Sequence, residues 1–139
     1  MTPAIKALLD AIRADEGKTY GQIYYGAKGV PRDTDVSKLT LNGVLALQQL
    51  MLKAGSASTA CGGYQFIRKT LLATVAEMGL KGTEICTPAL QDEMALHLLR
   101  KRGLAAYLLG KMSVNDFANN LAKEWASLPV VTRIKGQKR

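Results

Sequence analysis

Histidine, cysteine and long apolar runs are what this sequence has least of, and each scarcity excludes a class of protein. The single histidine, His97, lies inside a helical pattern with no Cys or His partner at ligand spacing. It reads as structural, so neither metal catalysis nor a cofactor is expected. The two cysteines, Cys61 and Cys86, form neither a CxxC metal signature nor a disulfide-rich framework. They can pair if the fold brings them together; two free, buried thiols are the other reading. No stretch approaches the ~18 uninterrupted apolar residues of a membrane span, so no membrane insertion is expected. The N-terminal segment is broken by Lys6, Asp10 and Arg13 and reads as an amphipathic helix, not a secretory signal. A protein of this kind that works outside the cytoplasm needs another means of delivery. Internal repeats and linkers are missing too.

What remains suits one globular domain: 139 residues, 47% of them hydrophobic, enough for a sizeable core. Nineteen Lys and Arg against eleven Asp and Glu give a formal charge of +8. That excess favours polyanionic partners such as nucleic acid, anionic lipid or the acidic polymers of a bacterial envelope. The charge clusters twice, at Arg100, Lys101 and Arg102 and in a tail with Arg133, Lys135, Lys138 and Arg139. Neither cluster interleaves aromatics in the manner of a single-strand binding surface. A solvated face and a basic tail account for both, and nucleic acid is not the expected partner. The domain is expected to span residues 1–132, with 133–139 as the tail.

Periodicity predicts a mostly helical chain. Ile5, Leu8, Leu9 and Ile12 form one helix face. Gly17 is a natural stop, which leaves Glu16 in the last turn. The tract Tyr20-Gly-Gln-Ile-Tyr-Tyr-Gly26 puts β-prone aromatics between turn residues and predicts a short irregular hairpin. A helix over 41–53 follows, with Thr40 as N-cap and Gly55 past its end. Residues 54–66 form a loop rich in Gly, Ser and Ala. Further helices are predicted over 68–78, from Thr87-Pro88 to Arg102, over 104–109, and from Ser113 onward. The last carries a stripe of Val114, Phe117, Leu121 and Trp125 and closes at Leu128-Pro129. The expected plan is α+β: a small β-hairpin lobe against a helical lobe, with Glu16 at the cleft between them.

A carboxylate in a last helical turn faces the negative end of the dipole and unsatisfied carbonyls, which favour its neutral acid. A neutral carboxylic acid near pH 7 suits general acid catalysis. The alternative is a solvated helix end where Glu16 and Asp15 form a surface acidic pair. Tyr20, Tyr24, Tyr25, Tyr64, Gln22 and Gln65 offer aromatic faces and amides that fit sugars; each tyrosine alone also fits an ordinary core or sheet position. Glycoside cleavage usually recruits two carboxylates. Asp33 and Asp35 are candidates for the second, although Asp-Thr-Asp beside Pro31 is also ordinary turn chemistry. A lone acid/base suffices when the substrate supplies its own nucleophile, as the 6-hydroxyl of N-acetylmuramic acid can in giving a 1,6-anhydro product.

Three elements then fall into a known order. Leu8-Leu9-Asp10-Ala-Ile12-Arg-Ala-Asp-Glu16-Gly17 with Tyr20–Gly26 resembles the opening of the lambda-phage endolysin family of lytic transglycosylases. Gly62-Gly63-Tyr64-Gln65 is similar to its Gly-x-Tyr-Gln element, and Glu124-Trp125-Ala126-Ser127-Leu128-Pro129 to its Trp-Ala-Ser-Leu-Pro element. The resemblance implies a lysozyme-like fold and cleavage of the β-1,4 bond between N-acetylmuramic acid and N-acetylglucosamine. It assigns Glu16 as the catalytic glutamate, with Tyr64 and Gln65 lining the saccharide cleft and Ser127 as cleft wall or support. Trp125 reads as support. Three positions depart from the family's habit: Ala14 and Asp15 precede the glutamate, and Gly63 stands where an arginine is common. The expected protein is a monomer, made in the host cytoplasm and acting on peptidoglycan glycan strands in the cell wall. It would reach them through a holin lesion or on a virion. A true hydrolytic muramidase and a non-catalytic peptidoglycan-binding virion module are the alternatives.

Overall fold

The computed structural model describes residues 1–125 and Leu128. Among the described residues, six α-helices carry the fold: α1 (Pro3–Asp15), α2 (Leu41–Lys53), α3 (Arg68–Glu77), α4 (Pro88–Lys101), α5 (Leu104–Leu108) and α6 (Val114–Ala122). Four begin at a side-chain cap. Thr2, Thr40, Thr87 and Ser113 each accept from a backbone N–H three residues on, and proline follows the cap in α1 and α4.

Helix α4 is the hub. It packs on α1, α3 and α5, while α2 pairs with α3 and α5 with α6. Its sequence explains this, because Gln91, Met94, Ala95, Leu96, Leu98 and Leu99 are all buried, leaving no wide polar face. Leu9 and Ile12 of α1, Val44 and Met51 of α2, Leu71 of α3 and Phe117 and Leu121 of α6 complete the core. Each such side chain contributes about 1.5–3 kcal/mol through burial.

The hairpin expected over 20–26 does not form: the described residues contain isolated β-bridges and no strand ladder. The tract pairs with a distant segment instead of with itself. Tyr24 N–H donates to the Ala60 carbonyl at 2.7 Å, and Gly62 N–H to the Gln22 carbonyl at 2.7 Å. Gly21 meanwhile turns the chain so that its carbonyl accepts from Val36 N–H. Long-range pairing thus consumes the backbone groups a local hairpin needs.

The stripe of α6 is also shorter than its periodicity suggests. Phe117, Leu121 and Trp125 are buried, but Val114 is exposed, and the helix stops at Ala122 ahead of Leu128-Pro129. Val114 is the first residue of the helix, where the chain still faces solvent. Pro129, Ser127 and the boundary expected at 132/133 lie outside the described residues. Among the described residues, no helix is long and apolar enough to cross a membrane.

Candidate active site

Glu16 caps the C-terminus of α1, its N–H still bonded to the Ile12 carbonyl at 3.0 Å, and its side chain is partly exposed. Lys18 closes the helix end by donating to the Arg13 carbonyl at 2.8 Å, the long bond of a Schellman motif. The left-handed residue there is Lys18, with φ of 62°, and not Gly17. Gly17 is needed for a different reason. Its N–H bonds the Gly63 carbonyl at 2.9 Å, and a Cβ on it would stand 2.2 Å from Gly62 O and 2.7 Å from Gly63 O. The residue after Glu16 is therefore seated directly on the Gly-Gly-Tyr-Gln loop. Two sequence elements far apart along the chain are thereby brought into contact.

The loop itself is tightly made. Cys61 and Phe66 exchange both backbone bonds across it, and Gln65 turns the corner at φ 50°. Gln48, fully buried on α2, donates its amide to the carbonyls of Thr59 and Phe66. Gln65 donates to the carbonyls of Gly62 (2.8 Å) and Gln22 (3.3 Å), which leaves the oxygen end of its amide as an acceptor.

Near the end of α1 lies a cluster whose centre, Asp92, the sequence analysis did not single out. Asp92 Oδ1 accepts from the hydroxyls of Tyr20 (2.8 Å) and Tyr64 (2.6 Å). Arg13, one turn before Glu16, donates to the Tyr64 hydroxyl at 3.1 Å and covers the Tyr20 ring, 4.6 Å from its centroid. Burial, reinforced by the Asp92 carboxylate, pushes both phenols above their ordinary range. Gln91 is fully buried next to Asp92 and bonds three loop groups. Nothing in the local pattern around Gln91-Asp92 marks them out, because their hydrogen-bond partners other than Cys86 lie 28 to 72 positions away.

Tyr64 accordingly occupies the core, with 0% exposure, and not a cleft wall. Its ring meets Tyr20 edge-on and Phe66 at a tilt, and its carbonyl accepts from the Trp125 indole at 2.9 Å. No ring face is left for a sugar, and the residue holds the loop on its core. Trp125, 1% exposed, supports it from below. The departure at Gly63 also has a local account: a Cβ there would meet Arg13 Cδ at 2.8 Å, so Arg13 fills the space beside the loop.

Tyr25, 77% exposed, lies with the half-buried Tyr24, their rings 4.8 Å apart. They flank a groove of about 190 Å³ with Gln22, Ile23 and Arg32. A neighbouring groove of about 380 Å³ shares Gln22, Ile23 and Arg32 and adds Thr19, Gly21, Asp33, Thr34 and Asp35. Asp35 Oδ1 caps a single 3-10 turn over Val36–Lys38, accepting from Ser37 N–H and Oγ. That is the turn chemistry expected of it. Asp33 is exposed on the groove wall. Tyr20, Tyr24 and Tyr25 thus separate: the first is tied into the cluster, the second is half-buried against the core, and the third is exposed.

Cys61 and Cys86 are buried free thiols. Burial raises Cys61 to about 12, with Cys86 nearby adding to it, and raises Cys86 to about 11. Both are expected to resist a thiol reagent at pH 8 in the folded protein and to react at once in denaturant; rapid native labelling would contradict their burial. The unfolded thiols ionise near 9. Their contribution to stability is therefore complete below that pH and is lost as pH rises towards 11–12.

No curated protein and no solved structure matches the chain significantly. A family model described as Endolysin matches residues 6–139, nearly the whole sequence, including α1 with Glu16 and the Gly-Gly-Tyr-Gln loop it touches. The chain therefore belongs to the endolysin family, phage enzymes that degrade the peptidoglycan of the host cell wall.

Proposed function

We propose that this endolysin is a lysozyme-like lytic transglycosylase that cleaves the β-1,4 bond between N-acetylmuramic acid and N-acetylglucosamine, with Glu16 as its single acid/base. The observation that carries this reading is the bond from Gly17 N–H to the Gly63 carbonyl at 2.9 Å. It fixes the helix end bearing Glu16 against one of the two segments that the sequence had marked for saccharide recognition.

Neutral Glu16 donates its proton to the glycosidic oxygen as the bond from muramic C1 breaks, and N-acetylglucosamine leaves with a free 4-hydroxyl. The resulting carboxylate takes the proton of the muramic 6-hydroxyl as that oxygen bonds to C1. The 1,6-anhydro ring closes and Glu16 is again neutral, so no second enzymic carboxylate is required. Gln22, Tyr24, Tyr25 and the Gln65 amide oxygen are the groups we assign to the glycan, since rings and amides suit sugar faces and hydroxyls. Residues 1–132 form the catalytic unit in this reading, acting as a monomer. The net charge of +8 favours the anionic envelope over neutral polymers.

Asp33 keeps a hydrolytic reading in play, because it lines the groove beside Thr19 and Gln22 and could orient a water. Mass spectrometry of sacculi digested by the purified protein decides between the two. Anhydro-muropeptides are the expected product; reducing ends would establish hydrolysis, and the release of no fragments would sink the catalytic reading in favour of a binding module.

A further inference from the structure

Buried amides that make every available hydrogen bond are fixed in orientation, and Gln91 is the most constrained of them. It is 0% exposed. Its Oε1 accepts from Gly63 N–H at 2.8 Å, and its Nε2 donates to the carbonyls of Tyr20 (3.0 Å) and Cys86 (2.9 Å). The nitrogen must face two carbonyls and the oxygen an N–H, so the amide cannot flip without leaving buried groups unpaired. Gly62 has no room for a Cβ beside it, since one would lie 2.6 Å from Oε1.

These bonds converge on one place. Gly63 is held by Gln91 through its N–H and holds Gly17 through its carbonyl. Tyr20 is held by Gln91 through its carbonyl and by the adjacent Asp92 through its hydroxyl. The segment that leaves Glu16 is thereby anchored at Gly17 and again at Tyr20. Both anchors run to one turn of α4, the helix on which α1 itself packs.

We propose that Gln91 is a positioning residue for Glu16: its amide joins the Gly-Gly-Tyr-Gln loop to the tract following α1 and so fixes where the carboxyl group meets the glycosidic oxygen. The inference rests on the reading of Glu16 as the acid/base. Gln91 touches no substrate; it acts through Gly63, Gly17 and Tyr20.

The test uses the full chain and initial rates of muropeptide release from purified sacculi. Gln91→Met keeps the volume and removes all three bonds. Its maximal rate is expected to fall on the order of a hundredfold, as misplacement by about 1 Å does, with little change in the half-saturating concentration of sacculi. Gln91→Glu is the second variant and decides the matter alone if the first does not fold. Its neutral acid keeps the acceptor and one donor, whereas its ionised form has no donor for the two carbonyls. Its rate should therefore fall as pH rises through the ionisation of the new carboxyl, over a range where circular dichroism stays constant. A wild-type rate and pH profile in either folded variant overturns the proposal, as does a rate that falls only in step with the folded fraction. Glu16→Gln assayed alongside separates the two ideas. An active Glu16→Gln overturns the acid/base reading itself; an inactive one beside unimpaired Gln91 variants overturns the positioning role alone.

Discussion

Glu16→Gln is expected to abolish clearing of permeabilised Gram-negative cells while leaving binding to sacculi intact. The amide matches the carboxyl in size, so the end of α1 and its bonds to Ile12 and the Gly63 loop should persist. What it lacks is a proton it can give up. General acid–base contributions are typically on the order of 10² to 10⁴ in rate, about 3–5 kcal/mol of barrier. Here one residue is assigned both steps, so the upper end of that range applies. Asp15→Asn is the natural control: its side chain is exposed beside Glu16, and near wild-type clearing is expected. Undiminished lysis by Glu16→Gln would remove Glu16 from the chemistry. Loss of sacculus binding together with lysis would make it a substrate-holding group instead of an acid.

Gly17→Ala is expected to be nearly as damaging, without touching any chemically reactive atom. The atoms a Cβ would meet, Gly62 O at 2.2 Å and Gly63 O and C at 2.7 and 2.8 Å, are all backbone in a loop that is itself bonded on both sides. They cannot rotate away as a side chain could. Overpacking of this sort costs about 1–3 kcal/mol, and loss of the Gly17 to Gly63 bond adds about 1–3 kcal/mol if the buried groups go unpaired. A destabilisation of about 2–6 kcal/mol by chemical denaturation is therefore expected. Below the unfolding transition, activity should still be depressed on the order of a hundredfold, because the junction carrying Glu16 has been pushed off its loop. Gly55→Ala supplies the contrast. It also replaces a glycine, at φ of 81°, but nothing lies within 4 Å of the added atom. Only the left-handed backbone is disfavoured there, by about 1–2 kcal/mol, and activity should not change. If Gly17→Ala melts and lyses like the parent protein, the helix end and the loop are not locked together.

The helices were legible because their signals are local. Thr40, Thr87-Pro88 and Ser113 are caps whose partners lie three residues away, and the structure finds each helix beginning there. Glu16 was legible for the same reason, as the last residue before a helix stop. The hairpin was misread because β-propensity describes what a tract can do and not what it pairs with. The backbone of residues 22–24 found partners at residues 60–62, and no rule of local spacing carries that information. Tyr64 follows the same logic: beside Gln65 in a glycine loop it reads as a contact residue, and only the fold shows Asp92, Arg13 and Trp125 drawing it into the core.

By itself, then, the sequence determined where five of the six described helices start, that one carboxylate ends the first helix, and which family the chain resembles. Each depends on residues adjacent along the chain or on motif order. Only the tertiary structure decided what Gly17 is for, which tyrosines are buried, and that Gln91 and Asp92 tie Tyr20, Gly63 and Tyr64 to α4. Those are consequences of close approach between segments 28 to 72 positions apart. Such contacts arise when packing on α4 brings these segments together, and a linear pattern does not record them.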